Sequence, residues 1–205
     1  MEINSVLPDE MLEGVFTLLP LHTLMVVVAV CRRWREVGEA PWLWTRARLR
    51  VTGENLLEVP GVLAGRRWMA LGCLVVREVS HHLLTAIIQH PGLKRLEINY
   101  VDLSPLAPEE LATAVGGREE VDLRSSLLTT AQASTIFLTI LTGCRLRSLE
   151  IGPMTNLSTL EPSMLARAVN RLERVEMKGC QVSREQVEAI LEESRHTRLQ
   201  VLDLR

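Results

Sequence analysis

From residue 71 onward the apolar residues recur in one frame, L-x-x-L-x-L. It reads Leu93-Leu96-Ile98, Leu146-Leu149-Ile151, Leu172-Val175-Met177 and Leu199-Leu202-Leu204, with a fifth copy at Arg118-Val121-Leu123. The copies start at 93, 118, 146, 172 and 199, so they are 25, 28, 26 and 27 residues apart. That period suits one short strand and one helix per layer of a repeat stack. Looser copies precede them at Leu71-Leu74-Val76 and Arg46-Leu49-Val51. The intervening segments carry helix-start chemistry. Thr129-x-x-Gln132 and Ser183-x-x-Gln186 are capping boxes, and Pro108 and Pro162 sit where a first-turn proline is tolerated. The pattern predicts an α/β fold over residues 45–205, with short parallel strands alternating with helices.

The first 44 residues follow a different rule. Leu7-Pro8-Asp9-Glu10 opens a helix, with two acids at its positive end, and Leu12, Val15, Phe16 and Leu19 then recur at helical spacing as one apolar face. Pro20 ends that helix. The run Leu24 to Val30 is apolar all round, which predicts cover on several sides, and Cys31-Arg32-Arg33-Trp34-Arg35 continues with a polar face. Three short helices with this much aliphatic surface bury too little of their own area, so a partner helix is the expected remedy. The stretch from Val15 to Cys31 is too short for a membrane span and is broken by Pro20 and His22, while the residues before it are acidic. A soluble chain is expected.

Composition narrows the function classes. Aromatic residues are 3% of the chain against 47% hydrophobic, so the core is built from Leu, Val, Ile, Met and Ala. A net charge of -2 supplies no field toward nucleic acid or anionic lipid, and neither is expected as a partner. Cys31, Cys73, Cys144 and Cys180 are widely spaced, as reduced thiols in the cytoplasm or nucleus would be. His81, His82 and His90 lack zinc-ligand spacing, and Arg66-Arg67-Trp68 and Arg46-x-Arg48-x-Arg50 read as solvated faces. There is no phosphate loop, nucleophile elbow or H-E-x-x-H, and Cys144 has no neighbouring base. No metal, cofactor or catalytic role is expected.

The order Leu7-Pro8-x-Glu10, Leu12, Leu19-Pro20, Leu24, Val30-Cys31-Arg32-Arg33-Trp34 and Trp42-Leu43-Trp44 resembles the F-box family over residues 1–44. The turn Leu21-His22-Thr23 departs from it, being acidic in the family. The resemblance implies a non-catalytic substrate receptor of an SCF-type ubiquitin ligase. Such a receptor docks on a Skp-type adaptor and, through it, on a cullin and a RING subunit. It also implies that the adaptor contact, or its immediate support, is formed by Leu7, Pro8, Leu12, Val15, Phe16, Leu19, Leu24, Val30, Cys31 and Trp34. The frame over 45–205 is similar to the leucine-rich-repeat solenoids of the same proteins. The ninth frame position there is Asn or Cys, and Cys180 occupies it as a structural cap, while Val101, Ser126 and Met154 depart. The alternative is a leucine-rich-repeat scaffold or inhibitor whose helical start recruits nothing.

Parallel strands of such a stack line its concave side, where the fifth frame position points outward. Read down the copies it is Glu97, Asp122, Glu150, Glu176 and Asp203, with Arg95, Glu120, Ser148 and Arg174 at the third position and Asn99, Arg124, Gly152, Lys178 and Arg205 at the seventh. Relief of this acidic column is expected to be partial. Either these are merely solvated outward positions, or Glu97, Asp122, Arg124, Glu150, Arg174, Glu176 and Lys178 hold a basic segment of a target protein. The last frame copy ends at Leu202-Asp203-Leu204-Arg205 without a polar cap, so the repeats are expected to continue or to be covered there.

Overall fold

Pro8 precedes helix α1 (Asp9–Phe16), whose first turn holds Asp9 and Glu10. The computed structural model describes residues 7–45, 48–51, 71–78, 84–85, 92–153, 155–194 and 197–204. Helices α2 (Leu21–Val30), α3 (Arg32–Gly38) and α4 (Pro41–Thr45) follow, so the described residues hold four helical segments where three were expected. The extra boundary lies at Cys31, which is extended between α2 and α3 and caps α3 by accepting the Trp34 N–H on its Sγ at 3.5 Å. The four segments enclose their own core of Leu12, Phe16, Leu24, Val28, Val37, Leu43 and Trp44. Phe16 meets Trp34 edge-on with centroids 5.8 Å apart, and the Trp44 indole donates to Gly38 O at 2.9 Å. Arg33 ties α3 to the start of α1 through Asp9 at 2.7 Å and the Leu7 carbonyl.

Strands β1 (Arg48–Val51), β2 (Cys73–Arg77), β3 (Arg95–Asp102), β4 (Glu120–Leu127), β5 (Ser148–Ile151), β6 (Arg174–Glu176) and β7 (Val201–Asp203) form one parallel sheet in sequence order. Helices α5 (Pro108–Gly116), α6 (Thr130–Thr142), α7 (Pro162–Val169) and α8 (Arg184–Glu193) lie between successive strands from β3 onward. Register follows the frame, because Leu96 pairs with Val121, Val121 with Leu149, Leu149 with Val175 and Val175 with Leu202. Each frame leucine thus stacks on its counterpart, and the frame residues of β2 to β6 are buried in a second core that they share with the helices. This core is separate from that of the helical unit. The two are joined by a backbone bond from Gly72 N to Trp44 O at 3.3 Å.

The helix starts read from the sequence are present. Pro108 and Pro162 open α5 and α7, and both capping boxes form. Their glutamines do more than cap. Gln132 and Gln186 are fully buried, and the Nε2 of Gln132 donates to Leu103 O and Leu106 O at 2.6 and 2.8 Å. Gln186 repeats this with Leu157 O and Leu160 O at 2.7 and 2.6 Å. One side chain therefore closes its own helix and satisfies two carbonyls of the loop one layer earlier.

The ninth frame position behaves as expected at Cys180, whose thiol donates to Gly152 O at 3.1 Å and is pushed up to about 11 by burial. Ser126 was expected to break this pattern and instead keeps it, since its hydroxyl donates to Ile98 O at 2.8 Å. Cys180 Sγ also reaches Ile151 O, the counterpart of Ile98 O, at 3.7 Å, so a hydroxyl serves the frame carbonyl that the thiol serves. Val101 is simply buried, and Met154 lies outside the described residues.

Candidate functional site

The acidic column is in register. Glu97 pairs with Asp122, Asp122 with Glu150, Glu150 with Glu176 and Glu176 with Asp203. Adjacent carboxylates about 5 Å apart repel, so they need cations close by. Four side chains supply them. Arg95 reaches Glu97 at 2.9 Å and Glu120 at 2.7 Å. Arg124 reaches Asp122 at 2.8 Å, Glu150 at 2.9 Å and Glu176 at 3.9 Å. Arg174 hydrogen-bonds Glu176 and stands 3.7 Å from Glu150. Lys178 lies 3.2 Å from Glu176 and 3.1 Å from Asp203.

Relief of the column, expected to be partial, reaches every one of the five acids. The column's carboxylate side chains are between 5% and 13% exposed, while the four cations above them are 45% to 49% exposed. The cause is reach: each of the three arginines spans from the third or seventh position to the fifth position of its own strand and to an acid of a neighbouring strand. Proton affinities follow the pairing. The hydrogen bond from Arg174, with help from Lys178, holds the Glu176 carboxyl below the ordinary value. Asp203 and Glu176 hold the Lys178 ammonium above it, and Asp122 does the same for Arg124. Glu150 goes the other way. Burial, then the Asp122 and Glu176 charges, raise its carboxyl despite Arg124 and Arg174.

A second surface lies on the helical unit. Of the ten residues expected at the adaptor contact, Leu12, Phe16 and Leu24 are 2% to 3% exposed and belong to the internal core. Leu7, Leu19, Cys31 and Trp34 are partly buried, and Pro8, Val15 and Val30 face solvent. Missing from that set are Met11, Leu18 and Val26, which are also exposed, Leu18 to 83%. Met11 and Val15 on α1, with Pro8 before it and Leu18 in the turn after it, form one exposed apolar stripe, and Val26 and Val30 form another on α2. The all-round cover expected for α2 is thus absent on one side, because the single internal core takes only Leu24 and Val28 as fully buried. Trp42 is partly exposed as well.

Residues 5–50 match the family model for F-box-like domains. The chain is also 31% identical to human F-box/LRR-repeat protein 12 over a match covering 48% of this chain and 33% of that protein. The match thus spans about a third of the relative's length. Together these likenesses support an F-box protein. The matched residues contain the four described helices of the N-terminal unit and end within β1. Both exposed apolar stripes lie within the matched residues.

Among the described residues no group of three or more His, Cys, Asp or Glu is placed to hold a metal ion, and no helix is long and apolar enough to cross a membrane. His81, His82, His90, Arg46 and Arg66-Arg67-Trp68 lie outside the described residues.

Proposed function

We propose that this chain is the substrate-recognition subunit of a cullin-RING (SCF) ubiquitin ligase. In this reading the F-box-like domain binds a Skp-type adaptor, and residues 45–205 form a leucine-rich-repeat solenoid that holds a target protein. The observation that carries the first half is the pair of exposed aliphatic stripes on α1 and α2. A small helical unit that leaves Met11, Val15, Leu18, Val26 and Val30 in water has apolar surface for a partner to cover. Support for the second half is the register of β3 to β7, which repeats at 25, 28, 26 and 27 residues. The chain itself transfers nothing. It brings a target lysine close to a ubiquitin-charged enzyme held by other subunits, which act by proximity. Four free cysteines are in keeping with a reducing cytoplasmic or nuclear setting.

Co-expression with a Skp-type adaptor tests this reading. A 1:1 complex is expected on size exclusion with light scattering. Val15→Asp with Leu18→Asp is expected to abolish it while leaving the circular dichroism spectrum unchanged, since both side chains already face water. A folded chain that ignores the adaptor, or a complex indifferent to the two charges, overturns the proposal in favour of a scaffold that recruits nothing.

A further inference from the structure

The four cations of the strand face are spent on acids, but a second row of arginines is not. Glu173 N donates to Arg147 O at 2.8 Å and Gln200 N to Glu173 O at 2.7 Å, so residues 147, 173 and 200 stand side by side ahead of β5, β6 and β7. Two residues before each of them is an arginine: Arg145, Arg171 and Arg198. All three are exposed and fall one per layer, at the spacing of about 5 Å between adjacent strands. Among the described residues none of the three makes an ion pair, whereas Arg147 beside them is paired with Glu173.

Helix ends account for only part of this charge. Helices α6, α7 and α8 end at Thr142, Val169 and Glu193, shortly before the three arginines. A helix C-terminus carries about -0.5 of a charge, so three of them offset about half of three full cations. Arg171 Nη1 stands 3.5 Å from Ile140 O, and Arg145 and Arg198 donate no side-chain hydrogen bond among the described residues. Glu192 and Glu193 close α8, yet neither pairs with the row. A positive surplus is left. It faces a recess, because Arg171 and Arg198 line a cleft of about 580 Å³ together with Asn170, Thr197, Ile140 and Leu146, and no acid lines it. Thr197 Oγ1 lies 3.3 Å from Asn170 Oδ1, which ties the layers of Arg171 and Arg198 together there. The cleft shares no residue with the carboxylate column or with the stripes on α1 and α2.

We propose that this row binds an acidic segment of a partner protein, with one carboxylate seated in the cleft against Arg171 and Arg198 and a second at Arg145. A planar guanidinium matches a carboxylate with two parallel hydrogen bonds, and exposed charge of one sign selects the opposite sign in a partner. A row favours a segment over a single small anion. Acids two apart along an extended segment lie about 6.6 Å from each other, close enough to the spacing of the layers for each to meet its own arginine. The inference needs only the layers of the parallel sheet, so it stands or falls apart from the adaptor complex.

The probe is acetyl-Asp-Glu-Asp-Glu-amide titrated into the full chain, with acetyl-Asn-Gln-Asn-Gln-amide as the uncharged isostere, read from the amide shifts of Asn170, Arg171 and Arg198. Saturable shifts that weaken with added salt are expected for the acidic peptide, and binding at least roughly tenfold weaker for the isostere. Inorganic phosphate at matched ionic strength should also bind at least roughly tenfold more weakly, since it meets one point of the row. Arg171→Gln and Arg198→Gln should each weaken the acidic peptide severalfold, and Arg184→Gln, at the far end of α8, should not. Equal binding of the two peptides overturns the proposal, as does phosphate binding as tightly as the acidic peptide. Acidic-peptide binding undiminished in the Arg171→Gln and Arg198→Gln chains of unchanged circular dichroism, or weakened equally by Arg184→Gln, overturns it as well.

Discussion

Replacing Arg124 by Met removes the cation that touches the most column acids while keeping its aliphatic bulk. Asp122 loses both of its guanidinium hydrogen bonds, at 2.8 and 3.1 Å, and Glu150 is left with Arg174 at 3.7 Å. Removing one partner from a fully buried ion pair costs about 3–5 kcal/mol, and an exposed pair is worth about 1 kcal/mol or less. Here the acids are nearly buried and the arginine is 47% exposed, so the loss lies between those limits, at about 2 kcal/mol. For a chain of this size that is a fall in Tm of about 4–8 °C. The sign with pH is fixed by the carboxylates. Their repulsion, uncovered in the variant, disappears as they take up protons, so the deficit at pH 7 should shrink toward pH 4.5. Thermal melts followed by circular dichroism at the two pH values, with Asp122→Asn alone and combined with Arg124→Met, give the coupling. A loss below about 0.5 kcal/mol at pH 7, within the range of an ordinary surface substitution, or one that does not change with pH, would refute the account of Arg124 as the bridge over three strands.

Two acids of the same column should respond oppositely to neutralisation. Glu176→Gln removes a carboxylate whose folded value is lowered, so it should lower Tm at pH 7, with the difference from the parent vanishing as pH falls through that value. Glu150→Gln removes one whose folded value is raised, so it should leave Tm unchanged or higher at pH 7, an advantage that fades on acidification as the parent's Glu150 is protonated. Identical pH profiles for the two variants would contradict this. Gln132→Ala and Gln186→Ala each strip a capping box and uncover two buried carbonyls, and each should cost about 2–4 kcal/mol in urea unfolding, more than a cap alone. A loss near 1 kcal/mol would mean that the loops find other donors.

The strand register was legible because each layer repeats the same three apolar positions, and a slip of one residue would turn all of them out of the core. Capping boxes and first-turn prolines were legible for a similar reason, since their chemistry lies within four residues. What stayed hidden depends on neighbours distant in sequence. Periodicity assigns Leu12, Val15 and Phe16 to one broad face of α1 but cannot say that Phe16 meets Trp34 while Val15 and Leu18 look outward. On α2, where nearly every residue is aliphatic, it cannot choose a side at all. Ser126 was missed because the expected residue at the ninth position was a type rather than a function. What the site requires is a short donor to a carbonyl of the strand before, Ile98 O or Ile151 O, which a hydroxyl supplies as well as a thiol.

The column shows how an alternation rule can be right about direction and wrong about exposure. All five acids occupy outward positions of their strands, yet they form the floor beneath a layer of arginines and a lysine. At an effective dielectric of about 20, carboxylates about 5 Å apart repel by about 3 kcal/mol per neighbouring pair, so the in-register stack is tenable only if cations lie between the strands. Arg95 bridges β3 and β4, Arg124 bridges β4, β5 and β6, and Lys178 bridges β6 and β7. The charges that would drive the layers apart are thereby converted into cross-strand ties. A partner approaching this face meets a surface already neutralised nearly everywhere, and charge alone cannot select its position on it.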